Sequence, residues 1–149
     1  MELSPNEVRE LVLADHKALR VRLTLLRRAV INAQDKGDAR ALLEMLPSLL
    51  DHLGAHLDLE DQVLAPTLRT IDAWGEEREK RLADEHTEQR AWIGQSRANI
   101  ERDREDLNQI SARALTMIDR IEADMEHEEA HVLDPALMTD QVIYVDFGG

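Results

Sequence analysis

Six histidines and thirty-one acidic residues are spread along this chain, and a few of them recur at spacings that put imidazole and carboxylate on one helical face. His56 and Glu60 are four residues apart, so on a helix they lie one turn apart and point the same way. At about 100° per residue, Leu46, Leu49, Leu53, Leu57 and Leu64 form one apolar stripe, and His56 and Glu60 fall inside it. A carboxylate aimed into a core is costly unless it is paired or binds a metal.

The pattern repeats. At an offset of sixty-nine, Glu60 matches Glu129, Val63 matches Val132, Leu64 matches Leu133, Pro66 matches Pro135 and Leu46 matches Leu115. At an offset of seventy, Val12, His16, Arg20, Leu23 and Val30 match Leu82, His86, Arg90, Ile93 and Ile100. The chain reads as two similar helical hairpins, each giving a lone inward histidine and then an inward glutamate. The inward polar set is His16, His56, Glu60, His86 and Glu129, with Glu122 close behind. Imidazole nitrogens with carboxylates able to bridge suit iron, manganese or zinc. Two carboxylates on opposing helices can each bridge two ions, which describes a dimetal site in a bundle core. The rival reading is a metal-free bundle. In it the histidines are hydrogen-bonded core residues, and Arg20 and Arg90 neutralise Glu60 and Glu129. His127 lies nearly opposite the fourth stripe and His131 well off it, so both read as solvated. His52, at the edge of the second stripe, reads as structural or as a support for a ligand.

Four helices must position these groups. Ser4-Pro5-Asn6-Glu7 is a helix start, with a serine cap, proline at the first helical position and glutamate placed to close a capping box. The first helix runs to about Asn32, is stopped by Gly37, and carries the stripe Val8, Val12, His16, Leu19, Leu23, Leu26 and Val30. Asp38 is the expected cap of the second. Pro47 lies inside that helix, facing away from the stripe, where a kink or a restart is expected, and Pro66 ends it. The stretch 67–75 reads as a loop with Asp72 as a cap. The third helix covers roughly 76–101, and the charged stretch 103–108 turns the chain. The fourth reaches Leu133 with Leu115, Ile118, Ile121, Met125, Val132 and Leu133 inward. The fold class expected is all-α, an antiparallel up-down four-helix bundle over residues 1–137. A short extended tail follows at 138–149. Its Val142–Val145 stretch has strand propensity and is expected to pack across the bundle or against a second copy, as in a homodimer.

Composition bounds the partners. With 149 residues and 43% hydrophobic content the chain is one globular domain. A formal charge of −13 disfavours nucleic acid and anionic membrane. The absence of cysteine excludes disulfides and thiolate metal sites, and 3% aromatics disfavours stacking platforms. The N-terminus has no signal-peptide pattern and nothing approaches a membrane span, so a cytoplasmic location is expected. No phosphate loop or nucleophile motif occurs.

The arrangement resembles the hemerythrin-like, or HHE cation-binding, family. Its signature is a lone histidine on the first helix, H-x3-E on the second, a lone histidine on the third and H-x3-E on the fourth. Asp15-His16-Lys-Ala-Leu-Arg20 resembles the first motif, His56 to Pro66 the second and Glu85-His86 the third, so the likeness spans about Leu11 to Pro135. It implies a non-haem diiron centre with oxo and carboxylate bridges that handles dioxygen, nitric oxide or peroxide. A binding or sensing role is expected, with an oxidase or ferroxidase and a metal-free interaction module as the alternatives. The departure is on the fourth helix, where Met125 stands at the place the resemblance assigns to a histidine. A thioether is a poor ligand for a hard oxidised ion, and Glu122, one turn earlier, is the expected compensation. Arg90, where oxygen-carrying members have a second histidine on the third helix, argues against a faithful oxygen carrier.

Overall fold

The computed structural model describes residues 2–140. Four helices fill it in order: α1 (Pro5–Lys36), α2 (Arg40–Ile71), α3 (Gly75–Arg102) and α4 (Leu107–His131). The start of α1 follows the expected chemistry, with the Ser4 hydroxyl accepting from Glu7 N and the Glu7 carboxylate accepting from Ser4 N. Gly37 closes the helix in the left-handed conformation at φ 63°, a region that favours glycine.

Side-chain contacts set the helix directions. From α1 to α2, Asp15 meets His52 and His56 while Arg22 meets Ser48. From α2 to α3, Asp61 meets His86 while Asp51 meets Arg97. From α1 to α4, His16 meets Glu129 while Arg27 meets Glu122. In each pair one number rises as the other falls, so neighbours run antiparallel. The α3–α4 seam is the loosest. These two helices pack against α2 and α1 respectively more than against each other, and a groove of about 250 Å³ runs between them, lined by Trp92, Ile100, Arg113 and Met117.

Two stretches depart from the reading of the sequence. Neither proline interrupts α2: the helix does not restart at Pro47, and it passes through Pro66 to Ile71, so the expected loop at 67–75 shrinks to residues 72–74. Proline removes one backbone donor. Burial of Leu68, at 2% exposure, and a bond from Thr67 Oγ1 to Val63 O favour continuing the helix. Asp38 and Asp72 act one step outside the caps, accepting from Arg40 N and Trp74 N at 3.0 and 2.9 Å, while Ala39 and Trp74 occupy the cap positions.

The core stripes of α1, α2 and α3 lie where the periodicity puts them. On α4 and just past it Ile118, Ile121, Met125 and Leu133 are buried as expected, while Leu115, expected inward, is exposed and Ile110, Ala114 and Met117 join the core. The tail segment Val142–Val145 lies outside the described residues; Met138, just before it, is buried against the cluster that includes Val8, Leu68 and Leu133. No helix among the described residues is long and apolar enough to cross a membrane.

The α2–α3 turn sets a sharp test of this geometry. A Cβ on Gly75 would collide with the Arg69 carbonyl, a backbone atom that cannot swing aside. Gly75→Ala is therefore expected to destabilise the protein by about 1–3 kcal/mol, the range for overpacking, measured by urea unfolding. A cost no greater than that of Gly94→Ala, where a Cβ meets open space, would show that the turn is more relaxed than described.

Candidate metal centre

His16, His56, His86 and Glu60 are all buried, at 1, 5, 2 and 1% exposure. Each imidazole is gripped from behind. His16 Nδ1 pairs with Glu129 Oε2, His56 Nδ1 with Asp15 Oδ2 and His86 Nδ1 with Asp61 Oδ1, each at 2.6 Å. A carboxylate on Nδ1 fixes the ring's orientation and presents Nε2 as the free ligand atom, the arrangement found behind metal-bound histidines. The outer carboxylates are anchored in turn. Arg20 bonds Glu129 at 2.9 Å, Arg90 bonds Asp61 and Asp58, and His52 Nε2 bonds Asp15 at 2.9 Å.

The Nε2 atoms converge on two glutamates. Glu60 Oε1 lies 3.2 Å from both His56 Nε2 and His86 Nε2. Glu128 Oε1 lies 2.9 Å from His16 Nε2 and 3.9 Å from His56 Nε2. The His16 and His56 rings are neighbours, with centroids 4.9 Å apart. A cavity of about 20 Å³ sits here, lined by His16, His56, Glu60 and Glu128 with Leu53, Leu57, Ile121, Met125, Gln89 and Asp124, enough space for about one water.

Several polar atoms at the cavity are left over. His16 Nε2, Glu60 Oε2 and Glu128 Oε1 are buried with no hydrogen-bond partner; the 2.9 Å approach of His16 to Glu128 lacks hydrogen-bond geometry. Buried polar atoms are rarely left so, and a cation bound by imidazole and carboxylate would satisfy all three. Ligand atoms of His16, His56 and Glu128 lie within 4.8 Å of one another. The donor set of neutral imidazoles and carboxylates fits a borderline or hard divalent ion.

Every inward residue read from the sequence can now be placed. His16, His56 and Glu60 meet at the cavity, and His86 reaches Glu60 through Nε2. Glu129 stands behind His16 and touches its Nδ1, the role that Asp61 has toward His86. Glu122 is part-exposed and pairs with Arg27 at 3.6 Å, away from the cavity. Of the two arginines expected to neutralise Glu60 and Glu129, Arg20 pairs with Glu129 and Arg90 with Asp61 and Asp58. His127 and His131 are exposed and stack on each other at 4.5 Å. Glu128 and the outer carboxylates Asp15 and Asp61 were missed. Each outer carboxylate is adjacent in sequence to an inward ligand, which is the one signal that could have found it.

The pseudo-repeat explains the exchange of Glu129 for Glu128. His16 and Arg20 hold Glu129 just as His86 and Arg90 hold Asp61, so the structural partner of Glu129 is Asp61, and that of Glu128 is Glu60. The offset between α2 and α4 is sixty-eight. At that offset Leu42, Leu46, Leu49, Leu50, Leu53 and Leu57 fall on Ile110, Ala114, Met117, Ile118, Ile121 and Met125, all buried. Met125 is thus the counterpart of Leu57, a wall residue, rather than of His56.

Protonation follows the crowding of charge. Burial alone would lower the His56 pKa, but the neighbouring Glu128 and Glu60 carboxylates outweigh it and push it up to about 10. His86 is raised in the same way by Glu60 and Asp61 against its burial. Burial raises Glu60. Burial would also raise Glu128, but the nearby His16 and His56 imidazoles prevail and hold it low. Asp15, Asp61 and Glu129 are lowered by their histidine and arginine partners despite some burial.

A bundle whose centre is built from imidazoles backed by carboxylates is a metal-binding four-helix protein. The chain matches the Hemerythrin HHE cation binding domain over residues 8–136 and belongs to that family. No curated protein and no solved structure matches it significantly.

The raised histidines give a signed pH dependence. His56 binds its proton more tightly folded than unfolded, so its contribution is complete below 6.5 and is lost as pH rises through about 10; His86 acts in the same sense. The lowered carboxylates act oppositely, their contributions being lost as pH falls below the ordinary carboxylate range. Chelator-treated protein is expected to lose on the order of 2 kcal/mol between neutral pH and pH 10, read from urea unfolding at each pH. A flat or rising stability over that window would show that the histidines are not held protonated.

Proposed function

We propose that this protein holds two non-haem metal ions, iron in both positions, and binds or senses a small ligand: dioxygen, nitric oxide or peroxide. The observation that carries the reading is the convergence of three carboxylate-backed Nε2 atoms on Glu60 and Glu128, with Glu60 Oε2 left without a partner in a buried cavity. Membership of a cation-binding family supports it, and di-iron carboxylate sites are an established use of bundle cores. Manganese and zinc suit the same donors, so the choice of iron is what the test decides.

The residues divide the work. His16, His56 and His86 would ligate through Nε2, and Glu60 and Glu128 would supply carboxylate oxygens. Asp15, Asp61 and Glu129 hold the rings in place and keep Nδ1 protonated. Leu53, Leu57, Ile121 and Met125 wall the cavity and exclude bulk water, which strengthens each electrostatic contact inside. Bound iron would supply an open position and exchangeable electrons for a diatomic ligand or peroxide. Binding requires the protons on His56 and His86 to leave, so metal affinity should rise with pH.

Iron loading followed by elemental analysis tests this directly. About two ions per chain are expected, with near-ultraviolet absorption that changes on adding nitric oxide or peroxide. Chelation should lower the melting temperature by roughly 10 °C, as removing a ligand at about a thousandfold over its Kd would. Sustained oxidation of added Fe(II) beyond the bound complement would instead make the protein a ferroxidase. Failure to retain metal, with a melting temperature indifferent to chelator, would leave a bundle whose centre is neutralised by protons alone.

A further inference from the structure

The fourth helix carries a motif that the central site leaves half unused. In His127-Glu128-Glu129-Ala130-His131 two histidines stand four apart with a glutamate after the first, the helical spacing at which imidazole pairs bind zinc. The members of the motif face different ways. Glu128 turns inward to within 2.9 Å of His16 Nε2, while His127 and His131 are exposed, their rings 4.5 Å apart and tilted by 49°. Two imidazoles sharing one ion at about 2.1 Å from each nitrogen have centroids roughly 4.5–5 Å apart, so the pair already has the spacing of a chelate. Neither ring has a hydrogen bond or ion pair among the described residues.

Both rings line a cavity of about 50 Å³ shared with Arg78, Arg81 and Glu85 of α3, room for roughly three waters or a partly hydrated ion. Glu85 is half-buried and has no ion pair among the described residues. The last turn of α4 ends at His131, where the unpaired helix carbonyls favour positive charge. Of the two arginines, Arg78 is neutralised by Asp72 at 3.2 Å, which leaves Arg81 as the opposing charge in the lining.

We propose that His127 and His131 form a peripheral site for one borderline divalent cation of the zinc kind, with Glu85 as its carboxylate ligand from α3. Imidazole-rich donors suit zinc, copper and nickel better than a hard ion. Glu85 closes the site by a side-chain rotation. The site binds without hydrolysing, because the glutamate that acts as general base in this motif is here Glu128, which faces the core. An ion held there ties α3 to the final turn of α4, the turn that carries Glu128 and Glu129, and so braces the loosest seam of the bundle. None of this depends on whether the core holds metal.

Zn(II) titration of the full chain by calorimetry, with elemental analysis after dialysis, reads this site against the core. His127→Gln and His131→Gln, both at exposed positions, should each weaken one binding class tenfold or more, or remove one Zn(II) per chain. Glu85→Gln should weaken the same class by a smaller factor, and Arg81→Gln should tighten it by removing the opposing charge. None of the four residues lines the central cavity, so zinc held in the core stays in every variant. Binding unchanged in both histidine variants would overturn the peripheral site and leave the core centre untouched. Binding unchanged in Glu85→Gln would overturn the link to α3. Inorganic phosphate bound by the parent and lost in Arg81→Gln, with zinc no tighter in that variant, would make the cavity an oxyanion site and overturn the assignment also.

Discussion

A carboxylate at the centre of an apolar bundle is costly unless its partners are near and well placed. Glu60, 1% exposed, is such a group. It is tolerable because Nε2 of His56 and of His86 flank it at 3.2 Å. Those rings keep their positions because Asp15 and Asp61 hold the opposite nitrogens. Asp61 is in turn fixed by Arg90, and Asp15 is shared with His52. Charge therefore alternates outward from the core to the surface in layers, with each layer positioned by the next. The apolar helices supply a frame, but the polar column decides how those helices face one another.

Most of the frame was legible because one-sided burial imposes a period. On α1, α2 and α3 the apolar stripe and the buried histidines share one phase, and His16, His56, Glu60 and His86 could be named from it. On α4 the periodicity also gives Ile118, Ile121 and Met125, but the repeat offset is sixty-eight rather than sixty-nine, for an identifiable reason. The matches that suggested an offset of sixty-nine, at Val132, Leu133 and Pro135, lie beyond the end of α4 at His131. Residues outside a helix carry no information about its rotation. Pro66 and Pro135 are the same letter in different settings, one inside α2 and the other past the last helix. Of the two matches inside α4, Leu115 is exposed and Glu129 stands behind His16.

Glu128 and Glu129 show what a one-residue difference in offset changes. Consecutive residues on a helix point about 100° apart, and here both directions are useful: Glu128 approaches Nε2 of His16 while Glu129 bonds its Nδ1. One ring is held between two adjacent side chains of one helix. A polar pair of this kind has no apolar marker, so only neighbouring helices reveal which member faces the cavity. The outer carboxylates were hidden similarly, since Asp15 and Asp61 lie off the stripes and look like ordinary solvated surface.

The α3–α4 seam bears on how quickly the centre can fill or empty. Helix α3 contributes few apolar residues to the core, chiefly Leu82, Ile93 and Ile100, and it leans on α2 more than on α4. Segments with little buried apolar surface open locally at lower free energy than the whole molecule unfolds. An outward excursion of α3 would carry His86 and Gln89 away from α4 while His16, His56 and Glu60 remain on the better-packed α1 and α2. The two halves of the cavity would then exchange with solvent on different timescales. The labile half would be the one bounded by α3, and the inert half would persist through many such openings.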